Sequence, residues 1–149
     1  MGWSGHWHGY GPWIGSRDAY GEEGLRRPGA ELNSENTRAF LASSLPPLMT
    51  AHWLMKRNQI SADRTWMDMG VALAWLTKAY EENPPFTRPD GLESYISLEA
   101  KLEYATDVLP LGVDVSWVYY TGSRSLISFS VVCCPNRLHP NIPCPLPPS

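Results

Sequence analysis

The stretch that decides the fold is Val113–Cys133, which reads VDVSWVYYTGSRSLISFSVVC. Its two halves, residues 113–120 and 126–133, are rich in the β-branched and aromatic residues that strands prefer. The residues between them, Thr121-Gly-Ser-Arg124, are typical of a hairpin connection. Because an isolated hairpin is marginally stable in water, the pattern predicts that this one packs on helices or joins a small antiparallel sheet.

The residues before this stretch predict the helices that would cover it. Helical patterns run over about 34–42, 48–58, 61–82 and 90–109, and proline residues end or separate them. The third pattern is the strongest, because its apolar side chains form one stripe. The residues of that stripe, at spacings of three and four, are Trp66, Met69, Leu73, Leu76 and Tyr80.

Length and composition indicate one globular domain with two distinct ends. The chain has 149 residues, of which 43% are hydrophobic and 18% charged. Eight of the twelve glycines lie in residues 1–30, which predicts an irregular N-terminal arm rich in glycine and tryptophan. Residues 31–134 are expected to form a single α+β domain of three or four helices on the C-terminal hairpin. Residues 135–149 form a proline-rich tail.

Charge and hydropathy exclude several classes of partner. The net charge of −3 disfavours a nucleic-acid backbone as ligand. No apolar run approaches the roughly 20 residues of a membrane helix, and no basic and apolar leader opens the sequence. The three cysteines do not form a disulfide framework. We therefore expect a cytoplasmic protein without a membrane partner.

The cysteines suggest a metal site. All three lie in the last seventeen residues, and the pattern Cys134-x4-His139-x4-Cys144 resembles the second half of a retroviral-type zinc knuckle, C-x2-C-x4-H-x4-C. The resemblance implies zinc ligation by these three side chains, although Val131 stands where the first knuckle cysteine would be. His6 and His8 are separated by one residue, so an extended backbone would place both imidazoles on one side as further ligands.

Nucleophilic catalysis is a different interpretation of the same tail. Cys144 lies between two prolines, which would hold its thiol stiffly, and His139 or His52 would be the base. The sequence itself brings none of these side chains together, so it does not decide whether the chain is an enzyme.

The leading interpretation is a non-catalytic binding or assembly protein. The arm supplies Trp3, Trp7, Tyr10 and Trp13 as binding residues, while the tail segment Pro143–Pro148 has the polyproline II character that aromatic grooves recognise. Arm and tail would either pack on each other or bind a protein partner, including a second copy in a homodimer. This interpretation expects no cofactor, and zinc is the alternative.

Overall fold

The computed structural model describes residues 2–87, 89–90 and 96–148, which form an α+β fold. Its sheet is antiparallel and has the order β2-β1-β4-β3. The strands are β1 (His6–Gly15), β2 (Thr65–Trp66), β3 (Val115–Tyr120) and β4 (Leu126–Cys134). The α-helices of the described residues are α1 (Arg17–Tyr20), α2 (Glu35–Ala42), α3 (Met69–Glu82) and α4 (Leu98–Val108). The α+β class and the small antiparallel sheet agree with the sequence-based prediction.

The prediction of an irregular arm is wrong for residues 6–15, because they form the inner strand β1 between β2 and β4. The glycines that suggested a loop serve the packing of this strand. A Cβ on Gly9 would lie 2.6 Å from the Trp66 ring, so only glycine leaves room for that indole. Gly11 has φ of +92° at the point where the register with β4 shifts, a conformation that glycine adopts without strain.

Two helices are predicted upstream of α3; the first is present as α2 with the predicted cap and end, and the second is not formed. Ser34 caps α2 by accepting a hydrogen bond from the Thr37 backbone N–H. The helix predicted over 48–58 is replaced by two 3₁₀ helices, Thr50–Met55 and Arg57–Gln59.

The two long helices both begin later than predicted. α3 starts at Met69 rather than near residue 61, because Thr65 and Trp66 pair with β1 and Asp68 supplies the cap. α4 starts at Leu98 behind the cap Ser97. The start predicted near Asp90 falls largely on residues 91–95, which lie outside the described residues.

The two faces of the sheet carry separate apolar clusters. One face packs on α3 and α4 through a cluster that includes Trp7, Leu76, Trp117, Phe129 and Cys133. The opposite face carries a smaller cluster, and its members are Tyr10, Trp53, Leu54, Val132 and Cys134, with Ile60, Ile142 and Cys144 packed against it. The C-terminal tail therefore covers the face of the sheet that the long helices leave open.

None of the helices in the described part of the chain has the length and apolar character needed to cross a bilayer.

Candidate metal centre

Two neighbouring strands bring three potential ligands to the second face of the sheet. His6 and His8 alternate with Trp7 along β1, so both imidazoles lie on the face opposite the Trp7 indole. His6 is directly opposite Cys134 of β4 in the ladder. Directly opposed residues of an antiparallel pair present their side chains on the same face. The Cys134 thiol therefore lies beside the two imidazoles, whereas Cys133 belongs to the cluster on the other face.

The tail brings the fourth ligand. Asn136 donates from Nδ2 to both carboxylate oxygens of Asp114, at 3.1 and 3.0 Å, and its Oδ1 accepts from the backbone N–H groups of Leu138 and His139. This turn directs the tail back across the sheet, where Ile142 packs in the second cluster. As a result the Cys144 sulfur lies 3.4 Å from Nε2 of His6 and 3.7 Å from Nε2 of His8.

The four side chains converge on one point. Their ligand atoms all lie within 4.8 Å of one another, and the two imidazole Nε2 atoms are 3.1 Å apart. His8 is fully buried and His6 is 9% exposed, while Cys144 is partly exposed. A cation held here would therefore be largely shielded from solvent, and solvent would reach it only on the side of the partly exposed Cys144.

The protonation states are set by burial. Burial lowers the pKa of His6, and burial together with the neighbouring His6 lowers the pKa of His8 to about 4. Both imidazoles are consequently neutral at pH 7, which is the form that ligates metals. Burial, followed by contact with Cys144 and the charge of Asp114, raises the pKa of Cys134 to about 12. A cation at this place must displace the proton of that thiol.

One polar atom beside the cluster is unsatisfied. Tyr10 continues the alternation of His6 and His8 on β1, and its ring stacks on Trp53 with centroids 4.9 Å apart. Its hydroxyl is buried, and none of the described residues forms a hydrogen bond with it. Burial raises the pKa of Tyr10, and the nearby Cys134 and Cys144 sulfurs raise it further. Burying a hydroxyl donor without an acceptor lowers the stability of the folded state, so a hydrogen-bond acceptor such as a thiolate next to this hydroxyl would be stabilising.

His139, which the sequence pattern predicts as a metal ligand, lies outside this cluster of four side chains. Its ring lies beside that of His52, with centroids 5.9 Å apart, and its backbone belongs to the Asn136 turn. Spacing within the tail suggested ligation, but the turn directs His139 to another neighbour. The catalytic pairing of His139 with Cys144 is likewise not formed, since the imidazoles that contact the Cys144 thiol are His6 and His8.

The aromatic residues named as a binding surface serve the chain's own packing. Trp7 and Tyr10 are buried on opposite faces of the sheet. Trp3 donates from Nε1 to the Pro135 carbonyl at 2.7 Å, and Trp13 contacts the Tyr20 ring. Arm and tail therefore pack against each other within one chain.

The sequence interpretation missed Thr65, and it named Tyr10 as a binding residue of the arm without placing its hydroxyl beside this cluster. Thr65 bonds to His8 from a strand of two residues that carried no strand signal. Tyr10 could have been placed by its period-two spacing from His6 and His8, had residues 6–15 been recognised as a strand.

Comparison with protein-family models, with curated proteins and with solved structures finds no match to this chain. The functional argument therefore depends on the geometry and chemistry of the cluster.

Proposed function

We propose that this protein binds one zinc ion through His6, His8, Cys134 and Cys144, and that the ion locks the C-terminal tail onto the sheet. The observation that carries the proposal is the convergence of these four ligand atoms from β1, β4 and the tail. The proposal departs from the sequence-based expectation of no cofactor and adopts zinc, the alternative.

The spacing of the ligand atoms supports a tetrahedral ion. Ordinary Zn–N and Zn–S bond lengths at tetrahedral angles separate two nitrogens by ~3.3 Å and a nitrogen from a sulfur by ~3.6 Å. The two Nε2 atoms are 3.1 Å apart, and the Cys144 sulfur lies 3.4 and 3.7 Å from them. For His6, His8 and Cys144 small side-chain movements would therefore suffice to accommodate the ion, and the Cys134 sulfur, which lies within 4.8 Å of the other ligand atoms, would move inward to complete the shell.

The donor set also supports zinc over harder cations. Two imidazoles and two thiols make a soft to borderline set, whereas magnesium and calcium require oxygen ligands. Four protein ligands complete a tetrahedral shell and leave no position for substrate or water, which is the arrangement of structural zinc sites. We therefore assign the ion a non-catalytic role. Thiolate ligands require reduced cysteines, in keeping with the cytoplasmic location inferred from the sequence.

The proposed role follows from the positions of the ligands. Three ligands lie on adjacent inner strands, and the fourth lies in a tail segment that lacks helix and strand. Zinc would cross-link this segment to the sheet and keep the second apolar cluster covered. Binding energy at such a site stabilises the folded chain directly.

Metal analysis of the reduced, purified protein tests the proposal. We expect one zinc per chain in the wild type, and loss of it in His6→Gln and Cys144→Ser. His139→Gln is the matched control, because this tail histidine lies outside the cluster, and it should retain one zinc. Failure of the wild type to bind zinc, or loss of zinc in the control alone, would exclude this four-ligand site. Cobalt substitution gives a second readout, since two thiolate ligands produce a characteristic charge-transfer absorption.

A further inference from the structure

Thr65 is the one described neighbour that hydrogen-bonds the second ring nitrogen of His8. It lies in β2, directly opposite His8 in the β1–β2 ladder. Its Oγ1 is 2.9 Å from Nδ1 of His8 and 2.9 Å from the carbonyl oxygen of Ser61.

The proton positions in the hydrogen bonds from His8 through Thr65 to Ser61 follow from the donor and acceptor capacity of each group alone. The Ser61 carbonyl accepts and cannot donate, so the single Thr65 hydroxyl proton points to it. Thr65 Oγ1 must then accept from His8, which places a proton on Nδ1 of that ring. A neutral imidazole carries one N–H, so Nε2 of His8 bears a lone pair, and this is the atom that faces His6 and Cys144.

We infer that Thr65 is a positioning residue that fixes His8 in the Nδ1–H tautomer and so presents its Nε2 lone pair to the metal; this inference rests on the proposed zinc site. Ligating histidines commonly donate their other N–H to such an outer partner, which orients the ring and raises its basicity. The hydrogen bond to the Ser61 carbonyl in turn fixes the Thr65 hydroxyl. The pair of hydrogen bonds from His8 through Thr65 to Ser61, the Thr65 relay, is therefore already formed in the metal-free protein.

His6 provides the contrast. No hydrogen bond from Nδ1 of His6 is found among the residues that the structure describes, and this ring is 9% exposed whereas His8 is fully buried. In the metal-free chain the short Nε2–Nε2 contact requires one N–H, and the Thr65 relay assigns it to His6. His6 is therefore the ligand that must change its tautomer when the ion binds, while His8 is already arranged.

Thr65→Val removes the acceptor with little change in shape. We expect zinc affinity to fall by about 10–100-fold, the range usual for loss of an outer-shell partner. Thr65→Ser keeps the hydroxyl and should restore wild-type affinity. Thr77→Val is the matched control, because Thr77 also donates to a backbone carbonyl, that of Leu73, but lies in α3 away from the cluster; its affinity should be that of the wild type.

Nitrogen NMR of the histidine rings measures the tautomer of His8 directly. This tautomer would not change in the Thr65 variant if Thr65 only contributed to packing. In the metal-free wild type, His8 should be protonated at Nδ1, and in Thr65→Val the two tautomers should mix. Wild-type zinc affinity in Thr65→Val, or a His8 protonated at Nε2 in the wild type, would overturn the inference. If the wild type binds no zinc at all, the proposed function fails by itself, and the tautomer measured in the metal-free chain still decides the role of Thr65.

Discussion

His6 in the inner strand β1 and Cys144 in the C-terminal tail are 138 residues apart in sequence, yet the His6 Nε2 and the Cys144 Sγ lie 3.4 Å apart. This contact joins the two ends of the chain on the face of the sheet that the long helices leave uncovered. Burial within this face keeps the imidazoles neutral and the Cys134 thiol protonated, so the cluster is prepared for a cation that displaces thiol protons.

The first prediction concerns the tail. Removing zinc with a chelator should release the segment after Asn136, because its cross-link to the sheet is lost. Trypsin should then cleave after the exposed Arg137 much faster in the metal-free protein, as followed by mass spectrometry. Cleavage after Arg124, which is exposed in the β3–β4 connection, is the internal control and should not depend on zinc. Equal cleavage after Arg137 with and without zinc would mean that the ion does not hold the tail.

The second prediction concerns pH. Zinc binding should release the proton of the Cys134 thiol, so zinc affinity should rise with pH, by about 10-fold per unit for this proton. The pKa of Cys134 is raised to about 12, so its proton is released throughout the neutral range. The pKa of His8 is lowered to about 4, so this ring adds no proton above about pH 5. Calorimetry in two buffers of different ionisation enthalpy counts the protons, and a count of zero would exclude thiolate ligation.

His6 and His139 illustrate which parts of this site the sequence can predict and which it cannot. The placement of His6 and His8 on one side follows from the period of an extended chain, and needs no tertiary information. The exclusion of His139 depends on the Asn136 turn, which is fixed by Asp114 in a distant part of the sequence. Convergence of a strand and a tail is a long-range property that spacing within the tail does not contain.

The fold shows the same division. The apolar stripe of α3 follows from local periodicity, and Leu76 and Tyr80 are buried as it requires. The strand β1 was missed because glycines normally indicate loops, whereas here Gly9 admits the Trp66 ring and Gly11 allows a bulge. Such glycines are explained by neighbours that are 57 or more residues away, so the local sequence gives no sign of them.

The third prediction concerns the hydroxyl of Tyr10. Tyr10→Phe keeps the stacking on Trp53 but removes the unpartnered hydroxyl, so the metal-free protein should be at least as stable as the wild type. If the hydroxyl donates to a zinc-bound thiolate, the same variant should bind zinc more weakly. Tyr119→Phe is the control, because its hydroxyl already donates to the Asn83 carbonyl at 2.7 Å, and it should lose stability without loss of zinc affinity. Zinc titration and thermal melting of both variants distinguish these outcomes.

The fourth prediction concerns the core. The apolar stripe predicts that Leu73 and Leu76 are both largely buried, but Leu76 is fully buried whereas Leu73 is partly exposed at the edge of the cluster. Leu76→Ala should therefore lower the free energy of unfolding by about 2–5 kcal/mol, and Leu73→Ala by less, because a partly exposed site leaves a smaller cavity. Urea denaturation of the zinc-loaded proteins measures both. An equal loss in the two variants would contradict the packing of α3 seen here.

The last prediction concerns association. β3 is an edge strand with β4 as its neighbour in the sheet. Among the described residues its outer side is paired at its C-terminal end, where the Phe86 N–H donates to the Tyr120 carbonyl oxygen and Pro85 forms a bridge with Thr121, and no further strand covers the rest. Val118 and Tyr120 on its open face are 38% and 42% exposed. An edge with exposed apolar residues is prone to pair with another chain, and a two-fold axis would satisfy both copies at once. We therefore expect a homodimer in which the β3 edges pair, since arm and tail are already used within one chain.

Light scattering of the zinc-loaded protein measures this association. Val118→Lys places a charge on the open face of the edge and should give a monomer. Val71→Lys introduces the same charge at a position of α3 that is 48% exposed, away from β3, and should leave the dimer intact. Because both variants keep all four zinc ligands, a change in mass cannot be attributed to loss of the ion. A wild type that is monomeric at micromolar concentration would show that the β3 edge is left unpaired in solution, and dissociation by Val71→Lys alone would place the contact on α3 instead.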